Sequence, residues 1–300
     1  MRHGIYVLAI IGTTPAAAQE TPRQDTAPAP DVTSTQEPAA EPRRDPQTQV
    51  FKGDYIIVGV GLGSFNSYDG SDDRRLMPVA GAMGRVAGRN FRIRGPNVSV
   101  DLLRHTPDQH LRFRLSPTLR YGGNRTGNIG DPVVKQLGKL ESGFEGGVSV
   151  GARYRRFLNP YDSLSIGASV RWDLSGRHGG AAYGAQMSYT TPLSPAFVMG
   201  AQISASFVSS KNADYNFSVT PEGSAASGLP VYKAKGGLKE LGVGAFTAYD
   251  LTGDFRDGGF MIGIGAQYGR LQGSAAESPI TSIRGTPNQW VAGGGIAYGF

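Results

Sequence analysis

The sequence contains no cysteine, so disulfide bonds and thiolate metal sites are excluded. Histidine is scarce, with only 4 in 300 residues, which leaves few candidate bases or metal ligands. No stretch approaches the roughly 18 consecutive apolar residues that a membrane-spanning helix requires, and the mean hydropathy is −0.26. A hydropathy scan alone would therefore classify the chain as soluble. Transmembrane strands escape such a scan because only alternate residues face lipid.

Glycine and proline are abundant instead, at 44 and 19 residues, which favours strands and turns over helices. The formal net charge of +6 would suit a nucleic-acid partner. However, no basic cluster falls on a recognisable nucleic-acid-binding module. We therefore expect no nucleic acid among the partners, and no cofactor.

The N-terminal residues have the three-part order of a secretory signal peptide. Arg2 and His3 supply the charge, residues 5–11 form an apolar run, and three alanines end at Ala18. We predict a signal peptide over 1–18, with a short buried strand or helix as the alternative.

Residues 19–53 are rich in proline and polar side chains, which is typical of a disordered linker, here a periplasmic one. Apolar and polar residues alternate from Tyr55 onward, within the predicted barrel domain 54–300. In 111–121, leucine, phenylalanine and tyrosine occupy odd positions, while arginine, serine and threonine occupy the even ones. One face is compatible with lipid and the other with water, as in a transmembrane strand.

Eleven segments share this alternation and are predicted as strands. They are 55–64, 75–87, 91–103, 111–121, 144–155, 163–174, 181–189, 197–207, 241–249, 260–268 and 290–300. In 91–103 the apolar positions change from odd to even, which indicates a bulge or break at Gly95-Pro96.

A soluble β-sandwich also alternates and is the alternative architecture. The polar faces of these segments carry Gly, Ser, Gln and Arg rather than a second apolar set, and the last segment ends at Phe300. Several apolar rows end in an aromatic residue, as the interfacial girdles of a membrane barrel do. These residues are Tyr154, Tyr189, Tyr249, Tyr268 and Tyr298. We therefore predict an all-β, transmembrane antiparallel barrel closed by the C-terminal strand that ends at Phe300.

Bacterial barrels have even strand numbers, so eleven segments leave one to find. We expect about twelve strands, with Asp214–Thr220 as the missing one, and ten as the fallback. The C-terminal pair Tyr298 and Phe300 resembles the signal that the outer-membrane assembly machinery reads. The expected location is the outer membrane of a Gram-negative bacterium, with its lipid and that machinery as partners.

Three blocks carry a resemblance to a known family. The first comprises Tyr68, Gly70, Ser71, Asp72, Asp73 and Pro78. The second comprises Ser227, Gly228, Leu229, Pro230, Tyr232, Gly236, Gly237 and Leu238. The third comprises Arg270, Leu271, Ala275, Ala276, Ser278, Pro279 and Gln289. In order and spacing they resemble the MipA/OmpV family, the MltA-interacting outer-membrane proteins.

The resemblance implies a scaffold that brings a lytic transglycosylase of the MltA kind near a bifunctional penicillin-binding protein. Some relatives are discussed as stress-responsive porins or as adhesins. Where the family commonly has an aspartate, this chain has Ser274, so a role for that carboxylate does not carry over.

Three candidate sites have simple structural explanations. Asp69, Asp72 and Asp73 suit a capped turn with an ion pair to Arg74 or Arg75, with a cation site or a partner contact as alternatives. His105, His110 and His178 are interpreted as surface turn residues. The glycine-rich run 59–63 lacks the following helix and lysine of a phosphate-binding loop, so we expect these glycines to face a crowded lumen.

Eight arginines fall on the polar sides of their strands and are predicted to face the lumen. They are Arg92, Arg94, Arg112, Arg114, Arg120, Arg153, Arg155 and Arg171. The candidate acidic partners are Asp101, Glu145, Asp173 and Glu240. Two interpretations remain open: a plugged lumen in which these charges pair with one another, or an anion-preferring pore.

The functional hypotheses are a non-enzymatic scaffold, a small anion-preferring porin or stress-responsive channel, and a barrel enzyme such as a lipase or protease. No paired acid and base or nucleophile with its partner supports the enzyme. For a scaffold, the candidate contact surfaces are 65–75, 122–141, 209–237 and 271–289.

Overall fold

The computed structural model describes residues 53–104 and 109–300. The predicted signal peptide, nearly all of the predicted linker and His105 lie outside these ranges. Within them, twelve antiparallel strands form a closed barrel in which neighbours in sequence pair and β1 closes on β12. The strands are β1 (Tyr55–Asn66), β2 (Arg74–Val86), β3 (Arg89–Arg94), β4 (Asn97–Val100), β5 (Leu111–Gly122), β6 (Gly143–Arg155), β7 (Ser163–Asp173), β8 (Ala181–Ser194), β9 (Phe197–Val208), β10 (Gly237–Asp250), β11 (Gly259–Leu271) and β12 (Asn288–Gly299). The predicted twelve-stranded barrel is confirmed.

Five short helices lie in the connections within 53–104 and 109–300. They are α1 (Pro132–Lys135), α2 (Ser210–Phe217), α3 (Pro221–Ser227), α4 (Gly273–Glu277) and α5 (Pro279–Ser282), with one 3₁₀ turn at Phe255–Asp257. No helix in the described ranges has the length and apolar character needed to cross a membrane.

The twelfth strand does not come from Asp214–Thr220, so that prediction was wrong. Most of this segment belongs to α2, where Ser209 caps the first turn by accepting a hydrogen bond from the Asn212 N–H at 3.4 Å. Ala213 and Phe217 are buried four residues apart, on one helical face. Here the Ser209 helix N-cap and packing against the barrel end override the strand preference that the alternating sequence indicated.

The twelfth strand comes instead from the segment 91–103, which is two strands. Gly95 and Pro96 form the turn between β3 and β4, with Gly95 in the left-handed region at φ 51°, a conformation that glycine adopts without steric cost. The change of apolar parity marks this hairpin.

The hairpin is short, and its tip pairs with the middle of β2, where Gly81 lies opposite Arg94. The loop-side residues of β2, 74–79, therefore pair only with β1. The connection that follows β5 contacts this edge, because Gly127 lies against the Arg75 guanidinium and Gly130 against the Asp73 carboxylate.

The alternation of the sequence separates the two faces of the barrel wall. On β5, Phe113 is 59% exposed on the outside, whereas Arg120 is 6% exposed inside. Large apolar residues line the outside of every long strand, an arrangement that suits lipid and not water.

Aromatic residues form a row at each end of this apolar band. On β6, Phe144 and Tyr154 are ten residues apart, which corresponds to about 33 Å along the strand and about 25 Å along the axis at a tilt of about 40°. Neighbouring rings touch within each row: Tyr268 and Trp290 have centroids 4.9 Å apart, and Phe260 and Tyr298 4.8 Å. The spacing matches an outer-membrane hydrocarbon layer of about 25 Å.

The two barrel ends differ. One end, called the loop end, carries the three longest connections and all five helices of the described residues; its connections are 67–73, 123–142, 174–180, 209–236 and 272–287. The other end, called the turn end, carries the remaining connections between long strands together with Tyr55 and Phe300. There the Phe300 N–H donates to the Ile56 carbonyl at 2.9 Å, beside the pairing of β1 with β12.

Candidate functional site: a capped, arginine-lined lumen

The long connections of the loop end fold together into a cap over the barrel. Their first hydrophobic cluster draws one buried residue or more from each of four connections: Tyr68, Ile129, Val134, Val219, Leu229 and Ile280. A second cluster joins the cap to the strand ends: Val208, Ala213, Phe217, Ala234, Leu271 and Ala275. Tyr232 packs against both clusters. The loop end is thus closed by a small folded core rather than by separate loops.

Polar contacts fasten this cap to the barrel wall. Gln289 is 1% exposed, and its Oε1 accepts the Gly70 N–H at 3.1 Å. The Lys239 ammonium of β10 lies 2.7 Å from the Asp69 carboxylate. Both contacts join residues about 170 or more positions apart in sequence.

A second link runs between two connections of the cap. Asp131 caps α1 by accepting the Val133 and Val134 N–H groups at 2.9 and 2.8 Å. Its other oxygen accepts from the Arg284 guanidinium at 2.8 Å. One carboxylate therefore serves both a helix terminus and an ion pair.

Directly below the cap, Glu145 forms ion pairs with basic residues at the loop end of the lumen. Its carboxylate lies 2.8 Å from Arg120, 3.3 Å from Arg171 and 3.6 Å from Arg177. The His178 ring is 3.8 Å away. We call these five residues the Glu145 cluster; it lies beneath the cap at the loop end of the lumen.

Deeper in the barrel, the arginines lack such partners. In the described part of the chain, no acidic side chain forms an ion pair with Arg92, Arg94 or Arg114. All three line a cavity of about 280 Å³. Arg153 also faces inward, and its Nε donates to Ser165 Oγ at 3.1 Å. All eight arginines predicted for the lumen lie on inward faces.

The opposite wall carries almost no side chains. On β1, β12 and β11 the inward positions at mid-height are glycines, aligned in register: Gly61 and Gly63, Gly293 and Gly295, and Gly263 and Gly265. In the ring of twelve strands, β12 is six places from β6 and so faces it. The long arginine side chains thus project toward a flat backbone wall, which explains how the lumen accommodates them.

The amino-acid sequence identifies the family to which the chain belongs. Residues 58–300 match the profile of the family described as MltA-interacting protein MipA. The chain belongs to the MipA family. A comparison with curated proteins finds no match.

Solved structures similar to the chain are distant. An anion-selective porin from Comamonas acidovorans has a TM-score of 0.38 at 9% identity, covering 82% of this chain and 98% of the porin. The Pseudomonas putida toluene transporter TodX has a TM-score of 0.37 at 9% identity, covering 82% and 89%. The outer-membrane channel DcaP of Acinetobacter baumannii has a TM-score of 0.36 at 10% identity, covering 83% and 98%. Likenesses this distant carry no information about function.

The three MipA-family blocks converge on the cap. From the first block, Tyr68, Gly70 and Ser71 are buried; from the second, Leu229; from the third, Leu271, Ala275, Ser278, Pro279 and Gln289. Gly228 ends α3 at φ 74°, a left-handed conformation that favours glycine. Pro78 and Arg270 are exceptions on the outer barrel surface. The buried part of the family pattern, nine residues, thus packs in the cap or where the cap meets the barrel.

The aspartate loop forms a turn, as predicted, but its ion pair was assigned wrongly. Asp69 pairs with Lys239, while the Arg74 guanidinium turns outward and donates to Ser64 Oγ and the Trp290 carbonyl at 3.0 and 3.2 Å. The turn itself is closed by the Asp73 N–H, which donates to Ser71 Oγ at 3.1 Å. Sequence reasoning could not find Lys239, because it lies nine strands away in chain order.

His178 was also assigned wrongly, since it is not a surface residue. Its side chain is 3% exposed within the Glu145 cluster, and its Nδ1 accepts the Gly180 N–H at 2.9 Å. Arg177, which lies beside it, was missed. The only indication in the sequence was its position in the connection between β7 and β8, whose polar faces line the lumen. His110 is exposed.

Burial in the cap shifts two pKa values. It raises the pKa of Tyr68 to about 12 and lowers the pKa of Arg125 to about 10. For Asp131, burial raises the pKa, but the hydrogen bonds from Arg284 and the α1 backbone outweigh it and hold the pKa below its usual value. In the described ranges, no three His, Asp or Glu side chains are arranged to hold a metal ion.

Proposed function

We propose that the chain is a non-enzymatic protein of the Gram-negative outer membrane that acts by binding partners, linking a lytic transglycosylase to the peptidoglycan synthesis machinery. The observation that carries this proposal is the cap. The family-block residues contribute to a folded cap over the lumen, above the Glu145 cluster, and among the described residues they include no nucleophile paired with a base. The family description, MltA-interacting protein, supports the choice of partner.

The asymmetry of the barrel indicates where such a partner would bind. Outer-membrane barrels have short periplasmic turns and longer extracellular loops, so the cap of this chain would face outward. Peptidoglycan enzymes work in the periplasm. We therefore move the expected contact surface from 65–75, 122–141, 209–237 and 271–289 to the turn end and the segment before Tyr55.

At the turn end, the connection 156–162 is the best candidate surface. Asp162 holds it rigid by accepting the Phe157 and Leu158 N–H groups at 2.7 and 2.9 Å and the Tyr189 hydroxyl at 2.8 Å. Leu158 is 73% and Tyr161 78% exposed on this ordered turn. Exposed apolar groups on a rigid support are typical of contact residues.

The test is recovery of cell-wall enzymes with affinity-tagged protein from solubilised envelopes. Leu158→Ser with Tyr161→Ser should lower recovery of a lytic transglycosylase, identified by mass spectrometry. Val231→Ser is the matched control, because Val231 is 59% exposed in the cap and would lie on the outer side of the membrane. Loss of transglycosylase recovery with Val231→Ser but not with the turn-end variant would reverse the proposed orientation. Recovery of no cell-wall enzyme with any variant or with the wild type would refute the scaffold.

A second candidate, a small anion-preferring pore, is favoured by the arginines that lack acidic partners, Arg92, Arg94 and Arg114. Planar-bilayer recording separates the two functions. We expect little steady conductance, because the cap and the Glu145 cluster close one end. Stable anion-selective openings of the wild-type protein would favour the pore.

A further inference from the structure

We propose that the lumen binds a compact anion with two or more charges, carried on phosphate or carboxylate groups, at Arg92, Arg94 and Arg114. This inference does not depend on the proposed scaffold function. It names a ligand for a cavity that neither the family match nor the cap explains.

The first argument is charge. The cavity is lined by six cationic side chains, Arg92, Arg94, Arg114, Arg120, Arg171 and Lys239, against one carboxylate, Glu240. Glu145 already engages Arg120 and Arg171, and Asp69 engages Lys239. Arg92 and Arg94 lie two residues apart on the same face of β3, and Arg114 lines the same cavity. Clustering like charges away from bulk water opposes folding unless counter-charge is bound.

The second argument is unused hydrogen-bonding capacity. The buried Nε atoms of Arg92 and Arg114 and the Thr118 hydroxyl have no hydrogen-bond partner within the described residues. Such groups are nearly always satisfied in folded proteins. Ser99 and Ser116 line the same cavity and add hydroxyl donors. An oxyanion in the cavity would supply hydrogen-bond acceptors beside these side chains.

The third argument is shape. A volume of about 280 Å³ far exceeds the space for one water, which needs about 10–15 Å³. The Arg114 guanidinium lies over Gly151 and Gly167, 3.4 Å from where a Cβ would stand on either residue. Planar guanidinium groups bind carboxylate and phosphate through paired hydrogen bonds, which favours an oxyanion over chloride.

The turn end provides access. Arg153 and Gln186 face inward yet are exposed to solvent, whereas the packed cap covers the loop end. A ligand would therefore enter from the turn end and reach the arginines without passing through the barrel.

The experiment uses purified full-length protein in detergent, with inorganic pyrophosphate and citrate as probes and sodium chloride at equal ionic strength as the reference. We expect calorimetric binding near one anion per barrel and a raised Tm with the probes only. Arg92→Gln with Arg94→Gln should weaken binding at least tenfold, because hydrogen bonds to charged groups are being lost. The same variant should have a higher Tm than the wild type without probe, since repulsion is relieved.

The control variant is Arg74→Gln with Arg270→Gln, which removes the same number of charges from the outer surface and should leave binding unchanged. Stabilisation by sodium chloride equal to that by pyrophosphate, or equal loss of binding in the control, would overturn the site. If the lumen variant does not fold, phenylglyoxal labelling of the wild type decides: pyrophosphate must protect Arg92, Arg94 and Arg114, and unprotected labelling would overturn the proposal.

Discussion

Replacing Ile166 with arginine tests which face of the barrel wall meets lipid. Ile166 is 55% exposed on the outer face of β7, six residues from Trp172 in the loop-end aromatic row. Six residues correspond to roughly 15 Å along the barrel axis, close to the middle of an apolar band about 25 Å tall. An arginine at that depth costs about 2–4 kcal/mol, which lowers the folding equilibrium constant about 30- to 900-fold.

The matched lumen variant is Gln186→Arg. Gln186 pairs with Gly167, the residue after Ile166, but points inward and is exposed there. Gln186 lines the same cavity as Arg114, so the new charge is repelled, but water can hydrate it and the cost should stay below that of a charge placed in lipid. Ser165 is a poorer control, because its hydroxyl accepts the Arg153 hydrogen bond.

The assay is reversible urea unfolding in phosphatidylcholine vesicles, followed by the fluorescence of Trp172 and Trp290 and by heat-modified electrophoretic mobility. The free energy of unfolding should fall by several-fold more for Ile166→Arg than for Gln186→Arg. Equal losses would refute the assignment of faces, and a larger loss at Gln186 would reverse it.

Three further predictions concern the cap and the closing strand. Glu145→Gln should destabilise the barrel by about 3–5 kcal/mol, because it leaves buried arginines without counter-charge; Glu141→Gln, on an exposed connection, should change little in the same unfolding assay. Acid should loosen the link between α1 and Arg284: the folded-state pKa of Asp131 is lowered, so its stabilisation is complete above the unfolded-state pKa of about 3.9 and is lost as pH falls through the lower folded value. Hydrogen exchange of residues 131–135 should then accelerate below that window, and Asp131→Asn should abolish the pH dependence. Deleting Phe300 should reduce assembly into the outer membrane, whereas deleting an equally exposed residue of the cap should not, as cell fractionation would show.

The faces of the barrel could be predicted because the determining pattern is local. Each strand alternates with period two, so Leu111 and Arg112 reveal opposite environments without knowledge of any neighbour. The same parity rule placed the inward arginines and indicated a bulge or break at Gly95-Pro96, where the structure has a hairpin. The three family blocks also indicated the protein family, because each block can be recognised from the order of its residues alone.

The contacts that define the site could not be predicted, because they join residues distant in sequence. Asp69 meets Lys239 and Glu145 meets Arg177 only after the strands close into a ring of one particular register. Local alternation also misled at Asp214–Thr220, where tertiary packing and the Ser209 cap select a helix. Period-two alternation therefore determined the strands and the face on which each of their side chains lies, whereas only the closed tertiary structure decided which charges are paired and which lack an acidic partner within the described residues.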